Sequence, residues 1–382
     1  MNNIFIETEL ANLEARGMRR SLREVSSPQD REIVLDGKRV LNFCSNNYLG
    51  LANDARLKDA AIEAIAEFGL GSGASRLVCG NMSPHTQLEQ ELAKFKKTEA
   101  ALVFSSGYMA NVGIISALVD RDDIVFSDKL NHASIIDGII LSRAELKRYP
   151  HNDMQALEDG LKNAEGLKRK LIVTDTVFSM DGDVAHLMQI VELAKKYNAL
   201  VMVDEAHGFG VLGPNGGGLV EELGLHGQVD LQMGTFSKAA GCFGAYVCCS
   251  KSMRDYLINH SRSFIYTTSL PPALAQAARV AIKIIQEDQD RRRNVINMAE
   301  DLRSRLKIMG FNTLNSVTPI IPIIFGDAQE TVAASRKLLN QGIYVGAIRP
   351  PTVPQNTARL RVTLMATHTK EDMERFCAAL RN

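Results

Sequence analysis

Between about residue 97 and residue 250, short β-rich runs alternate with helical patterns, and no other feature restricts the fold of this chain as strongly. The runs are ALVFSSG, DIVFSD, KLIVTDTVFS, ALVMVDEAH, DLQMGTFSK and GAYVCCS. Strands separated by helices pair mostly in parallel, because the helix is the crossover that brings the chain back to the same edge of the sheet. An α/β domain built on a mostly parallel sheet is therefore expected. Such sheets bind ligands beyond the carboxyl ends of their strands. Several of these runs end there in Ser, Asp, His, Gly or Lys.

The flanks read differently. The later part holds a charged helix (RRRNVINMAEDLRSRLKIMG), a strand near TPIIPIIFGD, a helix near ETVAASRKLLNQG, the strand ARLRVTLMA and a terminal helix. This is the pattern of a smaller α+β domain. The first forty-odd residues open with a helical stretch and lead into REIVLDGKRVLNF, with hairpin character at Asp36 and Gly37. At 382 residues the chain exceeds what a single core fills. The expected organisation is a segment 1–45 that packs with the small domain, a large domain 46–285 and a small domain 286–382. No internal repeat or low-complexity tract interrupts it.

Composition narrows the partners. Lysine plus arginine number 44 and equal the 44 acidic residues, so there is no broad cationic field for nucleic acid or an anionic membrane. A small molecule is favoured. The six cysteines contain no C-x-x-C spacing, which argues against a zinc site and against a disulfide framework. The N-terminus carries acids where a signal peptide is basic, and no apolar run approaches a membrane span. A soluble cytoplasmic protein without a metal site is expected.

The segment LVMVDEAHGFGVLG delivers Asp204 and then His207 to a strand end. A carboxylate there can hold a protonated pyridine nitrogen, keeping a ring an electron sink for carbanion chemistry at an amino acid's Cα. His207 can then bond the ring's phenolic oxygen. An N-capping aspartate with a satisfied histidine explains the same residues. The tetrad Asp204-Glu205-Ala206-His207 also occurs in nucleotide-driven helicases, yet no G-x-x-x-x-G-K-[ST] phosphate loop exists in the chain. Gly208, Gly210 and Gly213 match G-x-G-x-x-G, but PNGGG follows where a dinucleotide fold needs a helix.

In DLQMGTFSKAAG, Lys238 sits among small residues, with Thr235 and Ser237 before it. Its amine can form an imine with an aldehyde cofactor, and the two hydroxyls can face a phosphate. A solvated loop lysine is the commoner explanation of such a residue alone. ALVFSSGYMANVG is a strand, a turn and a helix, which points N–H groups and a helix dipole at an anion near Gly107 and Tyr108. His132 of LNHAS can lie on a ring face and Ser179 ends another run. Either one is equally a polar core residue.

Taken together, the acid, the lysine, the phosphate turn and the histidine all fall at strand ends of one domain. The order NFCSNNYLG, GSGASRLVCGN, SGYMAN, LNHAS, FSMDGD, DEAHGFGVLG, GTFSKAAG, YTTSLPP and RLRVT resembles the α-oxoamine synthases over nearly the whole chain. These are fold-type I enzymes of the aspartate-aminotransferase-like class, dependent on pyridoxal 5'-phosphate (PLP), that condense amino acids with acyl thioesters.

The resemblance implies that Lys238 tethers PLP and moves the Cα proton, that Asp204 pairs with the pyridine nitrogen, and that His207 and Ser179 bond the phenolic oxygen. It implies a ring-stacking, catalytically assisting His132 and cofactor contacts at Gly107, Tyr108, Thr235 and Ser237. Thr268 matches a residue that reaches the phosphate of a neighbouring subunit, so a homodimer with shared sites is implied. Arg361 matches the binder of the α-carboxylate, helped by Asn47, while Arg23 and Thr352 match the acyl side. Residues 347–369, DEAH and SRSFIYTTSLPP look most like the branch that joins L-alanine to a pimeloyl thioester in biotin biosynthesis, leaving the carrier open between CoA and a carrier protein. The branches that use glycine with acetyl-CoA, or serine with palmitoyl-CoA, are the alternatives within the family. A catalytically silent subunit of the same fold is the alternative outside enzymology, and Lys238 weighs against it.

Overall fold

A computed structural model describes residues 4–164, 166 and 168–381. The chain forms two compact units: one comprises residues 51–179 and 183–293, the other runs up to residue 50 and adds 180–182 and the residues from 294 on.

The first of these units is built on a seven-stranded sheet. Its strand order is Ala100–Phe104, Ala245–Cys249, Leu231–Thr235, Leu200–Asp204, Lys170–Asp175, Ile124–Asp128 and Glu145–Tyr149. Only Ala245–Cys249 runs antiparallel to its neighbours. Helices such as Gly107–Leu118 and Ala133–Ser142 follow the strands and supply core side chains. The central strands read as continuous apolar runs because both faces are covered. Leu171, Ile172, Val173, Val201, Met202 and Leu231 are each at most 1% exposed. Burial lifts the thiols of Cys248 and Cys249 to about 12 and that of Cys242 to about 11, which keeps them protonated.

Six of the seven strands correspond to the apolar runs of the sequence. The seventh, Glu145–Tyr149 (ELKRY), lacks that signal. It pairs on one side only, with Ile124–Asp128, and an edge strand carries charges that discourage pairing with another chain.

In the other unit, Glu32–Leu35 and Lys38–Asn42 form a hairpin with Leu35 paired to Lys38. Asp36 (φ 48°) and Gly37 (φ 77°) both adopt the left-handed conformation that a two-residue turn between twisted strands requires. Ile343–Tyr344 extends this hairpin in parallel, and a second small sheet has the order Ile320–Gly326, Ala358–Thr363, Gly346–Ile348. Among the described residues no helix is long and apolar enough to cross a membrane.

Candidate active site

Parallel strands that end at one edge deliver their next few residues to a common place. Loops after five strands of the large sheet line one pocket, which collects Gly107, Tyr108, His132, Ser179, Asp204, His207, Thr235, Ser237 and Lys238. All nine were singled out from the sequence. Asn111, Ser134, Asp175, Ala206 and Met233 complete its lining.

Asp204 ends its strand almost wholly buried, at 4% exposure. Its Oδ1 accepts the Ala206 N–H at 2.8 Å and its Oδ2 accepts Asn111 Nδ2 at 2.8 Å. Two donors fix the carboxylate in place. The second proton of Asn111 Nδ2 goes to Ser134 Oγ at 2.9 Å, and Ser134 Oγ lies 2.7 Å from His132 Nδ1. The serine hydroxyl can donate its own proton to Nδ1. The Ser134 N–H approaches the same nitrogen at 3.3 Å. Nδ1 is thus the bare nitrogen of a neutral ring whose proton is on Nε2. Burial lowers the His132 pKa, and the charge of Lys238 acts in the same direction against the attraction of Asp204.

Asp175 lies beside Asp204 on the neighbouring strand and holds His132 from behind, its Oδ2 accepting the His132 N–H at 2.8 Å. Burial, then the negative charge of Asp204, raises its pKa well above the usual carboxylate range. Neither Asn111 nor Asp175 announced itself in the sequence. Asn111 stands in the SGYMAN segment, and its contacts lie 23 and 93 residues away.

Opposite in charge to these acids is Lys238, whose Nζ is 2.8 Å from His207 Nε2. The turn before it is set by Thr235, which donates to the Gly244 carbonyl at 2.8 Å and accepts the Ser237 N–H at 3.1 Å. The helix Gly107–Leu118 begins at the same pocket, capped by Ser106 Oγ on the Met109 N–H at 3.3 Å. A Cβ on Gly107 would come within 3.8 Å of Thr235 Cβ, so the helix N-terminus and the threonine meet. Tyr108 bonds Asp137 through its hydroxyl.

This donor set fits PLP. A fixed carboxylate suits a protonated ring nitrogen, an amine suits the aldehyde, and a helix N-terminus flanked by Thr235 and Ser237 suits a phosphate.

Residues 38–380 match the family model of aminotransferase class I and II. The chain belongs to this family. Over 377 residues it is 54% identical to an 8-amino-7-oxononanoate synthase of Geobacter sulfurreducens, covering 98% of this chain and 96% of the relative. A serine palmitoyltransferase from S. paucimobilis, solved with a bound PLP–myriocin aldimine, has a TM-score of 0.94 at 35% identity, covering 99% of this chain and 97% of that one. An 8-amino-7-oxononanoate synthase structure from Francisella tularensis has a TM-score of 0.78 at 31% identity, with 89% and 96% covered. Within the class I and II aminotransferases the chain is an α-oxoamine synthase of the fold-type I class, and its cofactor is PLP.

The remaining sequence candidates lie elsewhere. Thr268 is exposed, bridges Ser75, accepts Ser105 Oγ at its carbonyl and lines a separate recess with Arg76 and Ser263. Four belong to the other unit. There Arg23 pairs with Asp36 at 3.2 Å, Thr352 Oγ1 accepts Arg20 Nη2 at 2.9 Å, and Asn47 is buried. Arg361 is buried on the middle strand of the second small sheet and donates to Thr363 Oγ1 at 3.0 Å.

Proposed function

We propose that this α-oxoamine synthase condenses L-alanine with a pimeloyl thioester, yielding 8-amino-7-oxononanoate, CO2 and the free thiol, in biotin biosynthesis. The observation that carries this reading is identity of 54% to a relative of that name over 98% of the chain. The higher TM-score to a serine palmitoyltransferase reflects a shared fold at 35% identity, and fold alone does not select a substrate.

Bound PLP supplies the electron sink that a carbanion at the amino acid's Cα requires. Asp204 would pair with the ring nitrogen, His207 and Ser179 would bond the phenolic oxygen, and His132 would lie against the ring. Gly107, Tyr108, Thr235 and Ser237 would hold the phosphate. The Lys238 amine takes the proton from alanine's Cα and later returns one to the product. Arg361 and Asn47 hold the α-carboxylate, and Arg23 and Thr352 serve the acyl chain. A bond forms between Cα and the thioester carbonyl carbon, the C–S bond breaks, and the carboxylate leaves as CO2. The subunits form a cytoplasmic homodimer in which Thr268, exposed on its own subunit, completes the partner's phosphate site.

Turnover separates the candidates better than binding, because a pocket that accepts alanine's methyl gains only about 1–3 kcal/mol over glycine. Thiol release is measured for each pair of amino acid and acyl donor, with the keto product identified by mass. Alanine with a pimeloyl thioester gives the highest kcat/KM. If glycine with acetyl-CoA or serine with palmitoyl-CoA exceeds it, the substrate assignment is wrong.

A further inference from the structure

His151 lines no part of the Lys238 pocket, yet its ring is gripped at both nitrogens. Nδ1 lies 3.1 and 3.2 Å from the two oxygens of Asp128, and Nε2 lies 2.7 Å from Asp183 Oδ2. Phe178 meets the ring edge-on, with centroids 4.3 Å apart. A neutral imidazole has one N–H and satisfies only one of two carboxylate acceptors; the doubly protonated ring satisfies both. Burial opposes that charge, but the hydrogen bonds the ring donates to Asp128 and Asp183 outweigh it and raise the pKa to about 10. The next residue reinforces the arrangement. Asn152, at φ 54°, gives its N–H to Asp128 Oδ2 at 2.8 Å and its Nδ2 to the Val184 carbonyl at 3.0 Å.

Each carboxylate is tied to a loop that reaches the pocket: Asp128 ends the strand that leads into one, and Asp183 lies in the other. Asp128 shapes the turn into His132, because its Oδ1 accepts the Leu130 N–H at 2.8 Å and its carbonyl accepts the Asn131 N–H at 3.2 Å. Asp183 closes the other loop: its carbonyl accepts the Phe178 N–H at 3.0 Å, next to Ser179, and Val177 bridges Val184. We propose that His151 is a positioning residue, a clamp that fastens the loop carrying His132 to the loop carrying Ser179. This rests on the reading of His132 and Ser179 as cofactor contacts.

The test is amide hydrogen exchange on cofactor-free protein, followed by kinetics and the visible spectrum of the loaded enzyme. In His151→Gln, which cannot donate to both carboxylates, the amides of 129–132 and 177–179 exchange about tenfold faster or more, while strands 171–174 and 201–204 keep wild-type protection. In the loaded variant kcat falls about tenfold with the amino-acid KM within about threefold, and the cofactor's visible band shifts. Wild-type exchange in both loops of the folded variant overturns the clamp. Faster exchange with unchanged kcat and spectrum upholds the clamp and instead overturns the cofactor reading of the two loops. Should His151→Gln not fold, Asp183→Ala removes the Nε2 acceptor and spares the Asp128 contact; it speeds exchange at 177–179 and not at 129–132, and unchanged exchange at 177–179 overturns the proposal.

Discussion

Lys238 Nζ stands 2.8 Å from His207 Nε2, so the amine of one strand-end loop is held by the imidazole of the next. A lysine fixed in this way presents its nitrogen at one point in the pocket. Borohydride reduction of the PLP-loaded protein therefore leaves the cofactor covalently attached to Lys238. Peptide mass mapping checks this, and an adduct on a different lysine contradicts the assignment.

The Asp204 carboxylate depends on Asn111, a residue with no titratable group. Asn111→Ala removes the donor at Oδ2 and also frees Ser134 from its partner. Loss of a hydrogen bond to a charged group costs about 1.5–3 kcal/mol. PLP affinity, measured by titration of the cofactor-free protein, falls roughly tenfold or more, whereas a surface asparagine variant leaves it unchanged.

What the sequence made legible follows a physical division. Asp204, Thr235 and Lys238 were readable because each ends an apolar run that can only be a strand of a covered parallel sheet, and such ends converge. Asn111 and Ser134 were not, since each looks like an ordinary polar residue of a helix until folding brings its partner into reach; Asp175 ends an apolar run as Asp204 does, but no neighbouring motif set it apart. The charged strand Glu145–Tyr149 was missed for the related reason that an edge position removes the apolar signature, and His151 lies two residues beyond its end.

Arg361 is buried on a middle strand, and its charge acts on both Tyr48 and Cys44. A planar guanidinium can grip a carboxylate with two parallel bonds, which an ammonium cannot reproduce. Arg361→Lys accordingly raises the amino-acid KM about tenfold, with cofactor binding preserved. Steady-state kinetics at saturating thioester decide the matter; an unaltered KM means that the α-carboxylate docks elsewhere.

If Thr268 completes a partner's phosphate site, its loss weakens PLP without dissolving the dimer. Thr268→Ala gives up one hydrogen bond, about 1 kcal/mol or somewhat more because the phosphate is charged. Dialysis then strips PLP several-fold faster while light scattering still reports a dimer. A fully active monomer in the wild-type protein excludes shared sites.

The His151 clamp also has a signature in the pH dependence of stability. Asp128 and Asp183 face the ring from two loops and raise its pKa to about 10 against the cost of burial, from an unfolded value of about 6.5. A folded-state pKa above the unfolded one means that the native protein binds the proton more tightly. The stabilisation is therefore complete below pH about 6.5 and is lost as the pH rises through about 10. Other groups titrate in the same range, among them lysines and tyrosines, so the contrast with a variant isolates the contribution. His151→Gln has no proton to lose there. Chemical denaturation of the cofactor-free protein at several pH values gives a wild-type stability that declines toward pH 10 more steeply than that of His151→Gln, with the two curves converging at the alkaline end. Parallel curves across this window would mean that His151 carries no charge in the folded protein, and that one of its two carboxylate contacts is not a hydrogen bond.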